Sequence, residues 1–259
     1  MRISIVTPSF NQAAYLPRTA QSILSQTGDF DLRWIVVDGG STDGSIDLLK
    51  SIADSRLTWV SEPDRGQAHA INKGMKLADG DIVAWLNSDD VYASGALAAV
   101  AQALGQHPAA QWLAGFYEII GADGAVMRPA VARYKERQLN RYRYRALLRE
   151  NFVSQPAVFW RRDFAGRLGP LDESLHWTMD YDLWLRMGRE CDPLIVPRVL
   201  AQFRLHESSK SGKIDRRQFD EQYRVACRYL NGDRVSRIAH RFNVEKIVWA
   251  YRVMSWLGC

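Results

Sequence analysis

Cysteine is scarce and unpaired. The 259 residues contain three, Cys191, Cys227 and Cys259, far apart and in no CxxC pair. That excludes a disulfide scaffold or a Cys-rich zinc site and favours a reducing compartment, the cytoplasm. No window approaches the roughly 20 apolar residues that span a bilayer. The apolar run within MRISIVTPSF is too short for a secretory leader. Both GxGxxG and the GxxxxGK-S/T loop are missing, so dinucleotide-fold and P-loop readings lack their marks. The five histidines are scattered, with none at i, i+4, which argues against a multi-histidine metal site. There is no internal repeat, low-complexity tract or evident linker.

What remains is ordinary globular material, 47% hydrophobic and 24% charged, long enough for a sizeable core. Its charge is unevenly spread. Residues 1–129 hold 9 Lys and Arg against 14 Asp and Glu, and residues 130–259 hold 25 against 15. The acidic front suits a metal site, and the basic back suits an anionic partner: phosphate, nucleic acid or a membrane surface.

The front half alternates strand-like and helix-like segments. Arg2–Thr7, Leu32–Val37, Leu57–Val60 and Asp81–Leu86 read as strands. Ala13–Gln26, Thr42–Ile52 (capped by Ser41 or Thr42) and Gly66–Leu77 read as helices. This predicts an α/β fold with a mainly parallel sheet and right-handed crossovers, with ligands beyond the carboxyl ends of the strands. Further on, Gln111–Ile120, Pro156–Trp160 and Leu194–Phe203 have strand character. Asp180–Met187 and one or two long helices over 213–256 complete the pattern.

Polar clusters sit at the predicted strand ends. In Asn87-Ser88-Asp89-Asp90 two adjacent carboxylates repel unless screened, and a hard divalent cation with a diphosphate would use such a group. A turn with a helix cap would use the same residues. Asp38-Gly39-Gly40-Ser41-Thr42-Asp43-Gly44 can turn sharply against a ligand, with Asp38 accepting hydrogen bonds from a base or ribose. Asp180 and Asp182, at i and i+2 on a helix, point in different directions, for example Asp180 toward a cleft and Asp182 toward a cap or an arginine such as Arg186, although taken alone either is better read as a solvated helix start. His206 lies beside Arg204, Lys210 and hydroxyls, a set suited to phosphate.

Together these segments resemble family 2 glycosyltransferases of the GT-A fold. The carriers are Ser4–Asn11, Val36–Gly44, Asp64-Arg65-Gly66-Gln67, Asn72-Lys73-Gly74, Asn87–Asp90, Met179–Arg186 and Phe203-Arg204-Leu205-His206. The resemblance covers about residues 1–210 and implies a nucleotide-sugar donor, UDP-linked on family grounds, with inversion at the anomeric carbon. It places Thr7, Ser9 and Asp38 at the base and ribose, and Arg65 near the base or diphosphate. Asn87-x-Asp89 falls at the DxD position. Asp89 is the first choice and Asp90 the second as ligand of Mn²⁺ or Mg²⁺, and Arg204 and His206 lie on the donor side. Asp180 becomes the general base. Asn87 replaces the first Asp of DxD, and Met179 replaces the acidic residue before the base.

The expected acceptor is a glycan or lipid-linked hydroxyl in polysaccharide biosynthesis. The expected location is cytoplasmic, at the inner face of the membrane where a lipid-linked acceptor would lie. A homodimer stays open. The expected layout is a transferase domain over 1–212, with a donor half 1–110 and an acceptor half 111–212, and a helical extension over 213–259. Two rival readings compete with this one. A nucleotidyltransferase needs a glycine-rich activating loop with Lys or Arg early in the chain, and Thr7–Tyr15 lacks one. A nucleic-acid-binding protein would use the basic, Tyr-rich Arg133–Arg149, where a basic surface helix beside the acceptor cleft is the favoured alternative and specific nucleic acid is not expected. Near the C-terminus Val235, Ile238, Ala239 and Phe242 fall at i, i+3, i+4 and i+7, and Ile247, Val248, Tyr251 and Met254 continue on a rotated face. With Trp249 and Trp256 among basic residues, this reads as an amphipathic helix that packs on the domain, forms a dimer, or lies on a membrane surface.

Overall fold

A computed structural model describes residues 1–210 and 215–256, with Val248 and residues 250–256 described by backbone alone. The expected boundary at 212/213, Cys259, and the side chains of Val248, Tyr251, Met254 and Trp256 lie outside the described residues.

The front half alternates as expected. β1 (Arg2–Ser9), α1 (Leu16–Leu24), β2 (Asp31–Asp38), α2 (Ser45–Ser51), β3 (Leu57–Ser61), α3 (Gln67–Leu77) and β4 (Ile82–Trp85) follow in turn. Continuous apolar runs such as Trp34-Ile35-Val36-Val37 are buried on both faces, as parallel strands covered by helices require. β1 pairs in parallel with β2 (Ser9 opposite Asp38) and with β4 (Val6 opposite Trp85), so the strand ends fall together. α3 lies directly on the sheet: a Cβ at Gly74 would overlap Cγ1 of Val6.

Two expectations need correction. The first helix begins at Leu16, not Ala13, because the backbone N–H groups of Asn11, Gln12 and Ala13 donate to Ser41 Oγ (2.7 Å), Ser45 Oγ (3.1 Å) and Asp43 Oδ2 (2.8 Å). Ser41 is therefore spent tying two loops together. The cap of α2 is Gly44, at φ 95°, a left-handed conformation that glycine adopts without strain.

The back half adds β5 (Val91–Tyr92), α4 (Ala96–Gln106), β6 (Trp112–Ile120), β7 (Val126–Met127), α5 (Pro129–Asn140), α6 (Tyr144–Leu147), β8 (Val158–Arg161), α7 (Arg162–Leu168), α8 (Met179–Glu190), β9 (Leu194–Arg204), α9 (Arg216–Tyr229) and α10 (Arg234–Trp256). The sheet has nine strands among the described residues, in the order β3-β2-β1-β4-β8-β6-β9-β5 with β7 beside β6. β8 runs antiparallel to both β4 and β6, while β9 is parallel to β6. Segment 133–149, read as one helix or loop, divides between α5 and α6.

α9 is integral to the core. Val225, Ala226 and Leu230 are buried in the same apolar cluster as Trp184 of α8. Trp184 stacks on Trp85 of β4 (centroids 5.6 Å) and Trp112 of β6 (6.3 Å), which fastens α8 to the sheet beneath the strand ends.

Candidate active site

A cavity of about 710 Å³ opens above the carboxyl ends of β1 and β4. Five expected site residues line it: Ser9, Arg65, Asn87, Asp89 and Asp180. The Ser9 hydroxyl is buried and has no hydrogen-bond partner among the described residues. Arg65 reaches across the opening to Glu173 (2.7 Å), joining the donor-side loop to the segment before α8. Asn87 is fixed by amides: its Oδ1 accepts from Gln67 (2.8 Å), and its Nδ2 donates to Gln155 (3.1 Å) and Asp90 (3.2 Å).

Thr7 and Asp38 do not line the cavity. Both are fully buried. Thr7 Oγ1 accepts from Trp34 Nε1 at 2.9 Å. The Asp38 carboxylate accepts from the Gly40 and Ser41 N–H groups (3.0 and 2.9 Å) and the Ser41 and Ser61 hydroxyls. Its acceptors are taken up within the loop, so Asp38 shapes the glycine turn. Gly39 in that turn lets the Asp64 carboxylate close in, since a Cβ there would come within 2.8 Å of Asp64 Oδ2.

Asp89 and Asp90 part company. Asp89 faces the cavity, its side chain 18% exposed, and its Oδ2 lies 3.0 Å from His206 Nε2. Asp90 is completely buried, accepting from the Arg204 backbone N–H (2.8 Å). Burial, with Asp89 beside it, pushes the Asp90 carboxyl well above the usual carboxylate range. Asp90, the second metal-ligand choice, does not line the cavity and anchors the loop from beneath.

Arg204 and His206 also act from beneath. Arg204, 2% exposed, donates through Nε to the Asp89 carbonyl (2.8 Å) and through Nη1 to the Gly121 carbonyl (2.9 Å), below the Tyr15 ring. His206 packs on Tyr15 (4.3 Å) and holds Asp89. Neither side chain lines the cavity; both are bonded to Asp89, while Phe203 and Leu205 beside them do line it. Arg204 lies opposite Ile120 of β6.

Asp180 stands in the first turn of α8 and lines the same cavity. Burial raises its carboxyl to about 6, against the opposing pull of the Tyr181 N–H and Lys135. Asp182 points elsewhere, as i, i+2 spacing requires, and pairs with Arg186 at 3.0 Å. The loop leading into α8 is held by Glu221 of α9. Its Oε1 accepts from the N–H groups of Trp177 (2.8 Å) and Thr178 (2.9 Å) and from the Thr178 hydroxyl, and its Oε2 from His176 N–H (3.1 Å).

Sequence patterns did not disclose Glu221, Gln155, Tyr15 or Lys135. None has a periodic or spacing signal, because each meets its partner only through tertiary packing. Gln67 lies within a motif but its amide contact does not. Of the basic 133–149 segment, Lys135 lines the cavity, while Arg145 pairs with Asp233 (3.0 Å) and Arg149 reaches Ser236 (3.1 Å) on α10. These two arginines serve docking of the C-terminal helix, which weakens the nucleic-acid reading.

With this geometry in hand, the relationship to known proteins is direct. The profile of "Glycosyl transferase family 2" matches residues 4–168. The chain belongs to glycosyl transferase family 2. This transferase is 32% identical over 202 residues to a "PGL/p-HBAD biosynthesis glycosyltransferase" of Mycobacterium bovis, covering 76% of this chain and 73% of that one. It is 28% identical over 262 residues to an uncharacterised glycosyltransferase of Mycobacterium tuberculosis, covering 98% and 94%. Its fold is that of GT-A glycosyltransferases. Staphylococcus aureus TarS, solved with UDP-GlcNAc, superposes with a TM-score of 0.68 at 17% identity over 90% of this chain and 68% of that one. The mannosyltransferase PcManGT of Pyrobaculum calidifontis, solved with GDP-Man and Mn²⁺, gives 0.68 at 19% over 100% and 76%.

Proposed function

We propose that this transferase moves a sugar from a nucleoside diphosphate, UDP for preference, to the hydroxyl of a glycan or lipid-linked acceptor, inverting the anomeric centre. The observation that carries the reading is the pair of carboxylates that line one cavity, Asp89 beside the strand ends and Asp180 on α8. A raised carboxyl near 6 is still ionised at neutral pH and is a stronger base than an ordinary aspartate, as removal of a hydroxyl proton requires. Ser9, Arg65 and Asn87 line the donor side and supply polar contacts to nucleotide and diphosphate. The nucleotide sugars bound by TarS and PcManGT support that donor class.

A divalent cation fits the donor wall. Among the described residues no three His, Cys, Asp or Glu side chains form a ready cage. Mg²⁺ or Mn²⁺ shared with a diphosphate needs only one or two carboxylates, the phosphate oxygens and water supplying the rest. Asp89, steadied by His206, would hold it, and the ion would neutralise charge on the departing diphosphate. The Mn²⁺ of PcManGT supports this choice.

Asp180→Asn tests the reading. Transfer should fall by roughly 10²–10⁴-fold, the weight of general base catalysis, with donor affinity retained. In the wild type, log kcat should rise with pH and level off above about 6, as the Asp180 carboxyl ionises. Loss of nucleotide affinity in parallel would move Asp180 out of the base role.

A further inference from the structure

The C-terminal helix α10 turns an unexpected side to the protein. Its inward face is polar and small: Ser236 and His240 are fully buried, and His240 Nδ1 lies 2.9 Å from the Leu148 carbonyl. Val244, also buried, and Ile247, on the cavity wall, continue this face. The apolar stripe points out. Val235 is 63% exposed, Ile238 70%, Phe242 68% and Trp249 67%. These residues recur at helical spacing on one side, so nothing in the described chain covers them.

Exposed cations flank the stripe. Arg234, Arg237, Arg241 and Lys246 are all solvent-facing. The helix contains one acidic residue, Glu245, which Arg216 of α9 engages at 2.7 Å. Lys246 lies over the partly exposed Tyr134 ring of α5 at 5.8 Å, which extends the patch with an amphipathic aromatic. Among the described residues no helix is long and apolar enough to cross a membrane. We propose that the Val235–Trp249 stripe of α10 docks on the surface of an anionic lipid bilayer, apolar side chains entering the headgroup boundary and arginines meeting lipid phosphates.

The charge pattern selects this occupant. A second copy pairing through the same stripe would bring the like-charged arginine rows together, whereas an anionic surface complements them. The inference goes beyond the catalytic reading and does not depend on it. It adds a placement: Ile247, on the opposite side of the same helix, lines the cavity, so docking would bring the cavity close to the lipid surface.

The test is co-sedimentation of the full chain with phosphatidylcholine vesicles, with and without phosphatidylglycerol. The chain should pellet with the anionic vesicles and stay in solution with the neutral ones, and added salt should release it. Arg234→Gln, Arg237→Gln and Arg241→Gln together should lower the partition coefficient about 100-fold. Ile238→Ser with Phe242→Ser should lower it at least as much. All five positions are exposed, so thermal unfolding and nucleotide binding should match wild type and show that the variants fold. The proposal is overturned if the full chain stays in the supernatant at low salt, if either variant set sediments like wild type, or if sedimentation equilibrium shows a dimer that the apolar variant dissociates. Nucleotide-sugar turnover in detergent-free solution is scored separately: its absence would count against the catalytic reading alone.

Discussion

Asp180 is where function opposes stability. Its carboxyl ionises near 6 in the fold but near 4 in an unfolded chain. Above pH 6 the native state therefore carries a desolvated charge that the unfolded state solvates freely, and below pH 4 both states are neutral there. Asp180→Asn should raise Tm at pH 7.5, by roughly 2–4 °C for each kcal/mol relieved, and the gain should vanish by pH 4. Differential scanning calorimetry at the two pH values decides it, and a Tm loss at pH 7.5 would show that the carboxylate is a structural partner. At Asp89 the same scale gives another outcome. His206 holds one carboxylate oxygen from a buried position, so His206→Ala should free the Asp89 side chain. Donor KM should then rise, with the pH midpoint near 6 unchanged, because His206 bonds Asp89 and Asp180 stands on a different element, α8. Steady-state kinetics across pH reads both quantities.

The element that matters most for placing the base is α9. One Glu221 carboxylate gathers three consecutive backbone N–H groups at the entrance of α8. Burial would raise that carboxyl, but those hydrogen bonds outweigh burial and hold it below the ordinary glutamate value. A depressed folded pKa gives stability that is present above about pH 4.3 and lost as pH falls through the folded value. Glu221→Gln keeps the shape but removes the charge, and hydrogen bonds to charged groups contribute about 1.5–3 kcal/mol. We expect a lower Tm at pH 7, a kcat reduced about tenfold as Asp180 loses its fixed position, and a donor KM little changed. The Tm difference should narrow below pH 4. A fall in donor affinity with kcat preserved would separate α9 from the base.

For the molecule as a whole, α9 packs into the apolar core shared with α8. Val225 of α9 and Leu230, just past its end, are buried in the cluster around Trp184. Two fully buried aliphatic side chains contribute about 3–6 kcal/mol, against a total stability of about 5–15 kcal/mol. A chain ending at residue 210 also loses Glu221. It should lack a cooperative thermal transition and fail to bind nucleotide, as circular dichroism and calorimetric titration would show. Retained nucleotide binding with a sharp transition would show that residues 1–210 fold and bind without α9.

Local pattern determined a good deal. The strand–helix alternation, the parallel front half, the clusters at the strand ends and the divergence of Asp180 from Asp182 were legible, because periodicity and turn chemistry act over a few residues. So was the family, because its motifs are short and ordered. Tertiary structure alone decided which motif residues line the cavity. Thr7, Asp38, Asp90, Arg204 and His206 carry the family pattern yet are turned beneath the cavity, where buried polar atoms must find protein partners. Ser9, Arg65, Asn87, Asp89 and Asp180 are left to face it. The same holds for α10. Its amphipathic spacing was plain, but spacing names an apolar face without saying what lies against it. Only packing showed that Ser236 and His240 turn inward and the stripe turns out. The physical reason is common to both: hydrogen-bond satisfaction and burial depend on residues far apart in the chain, and no local pattern contains them.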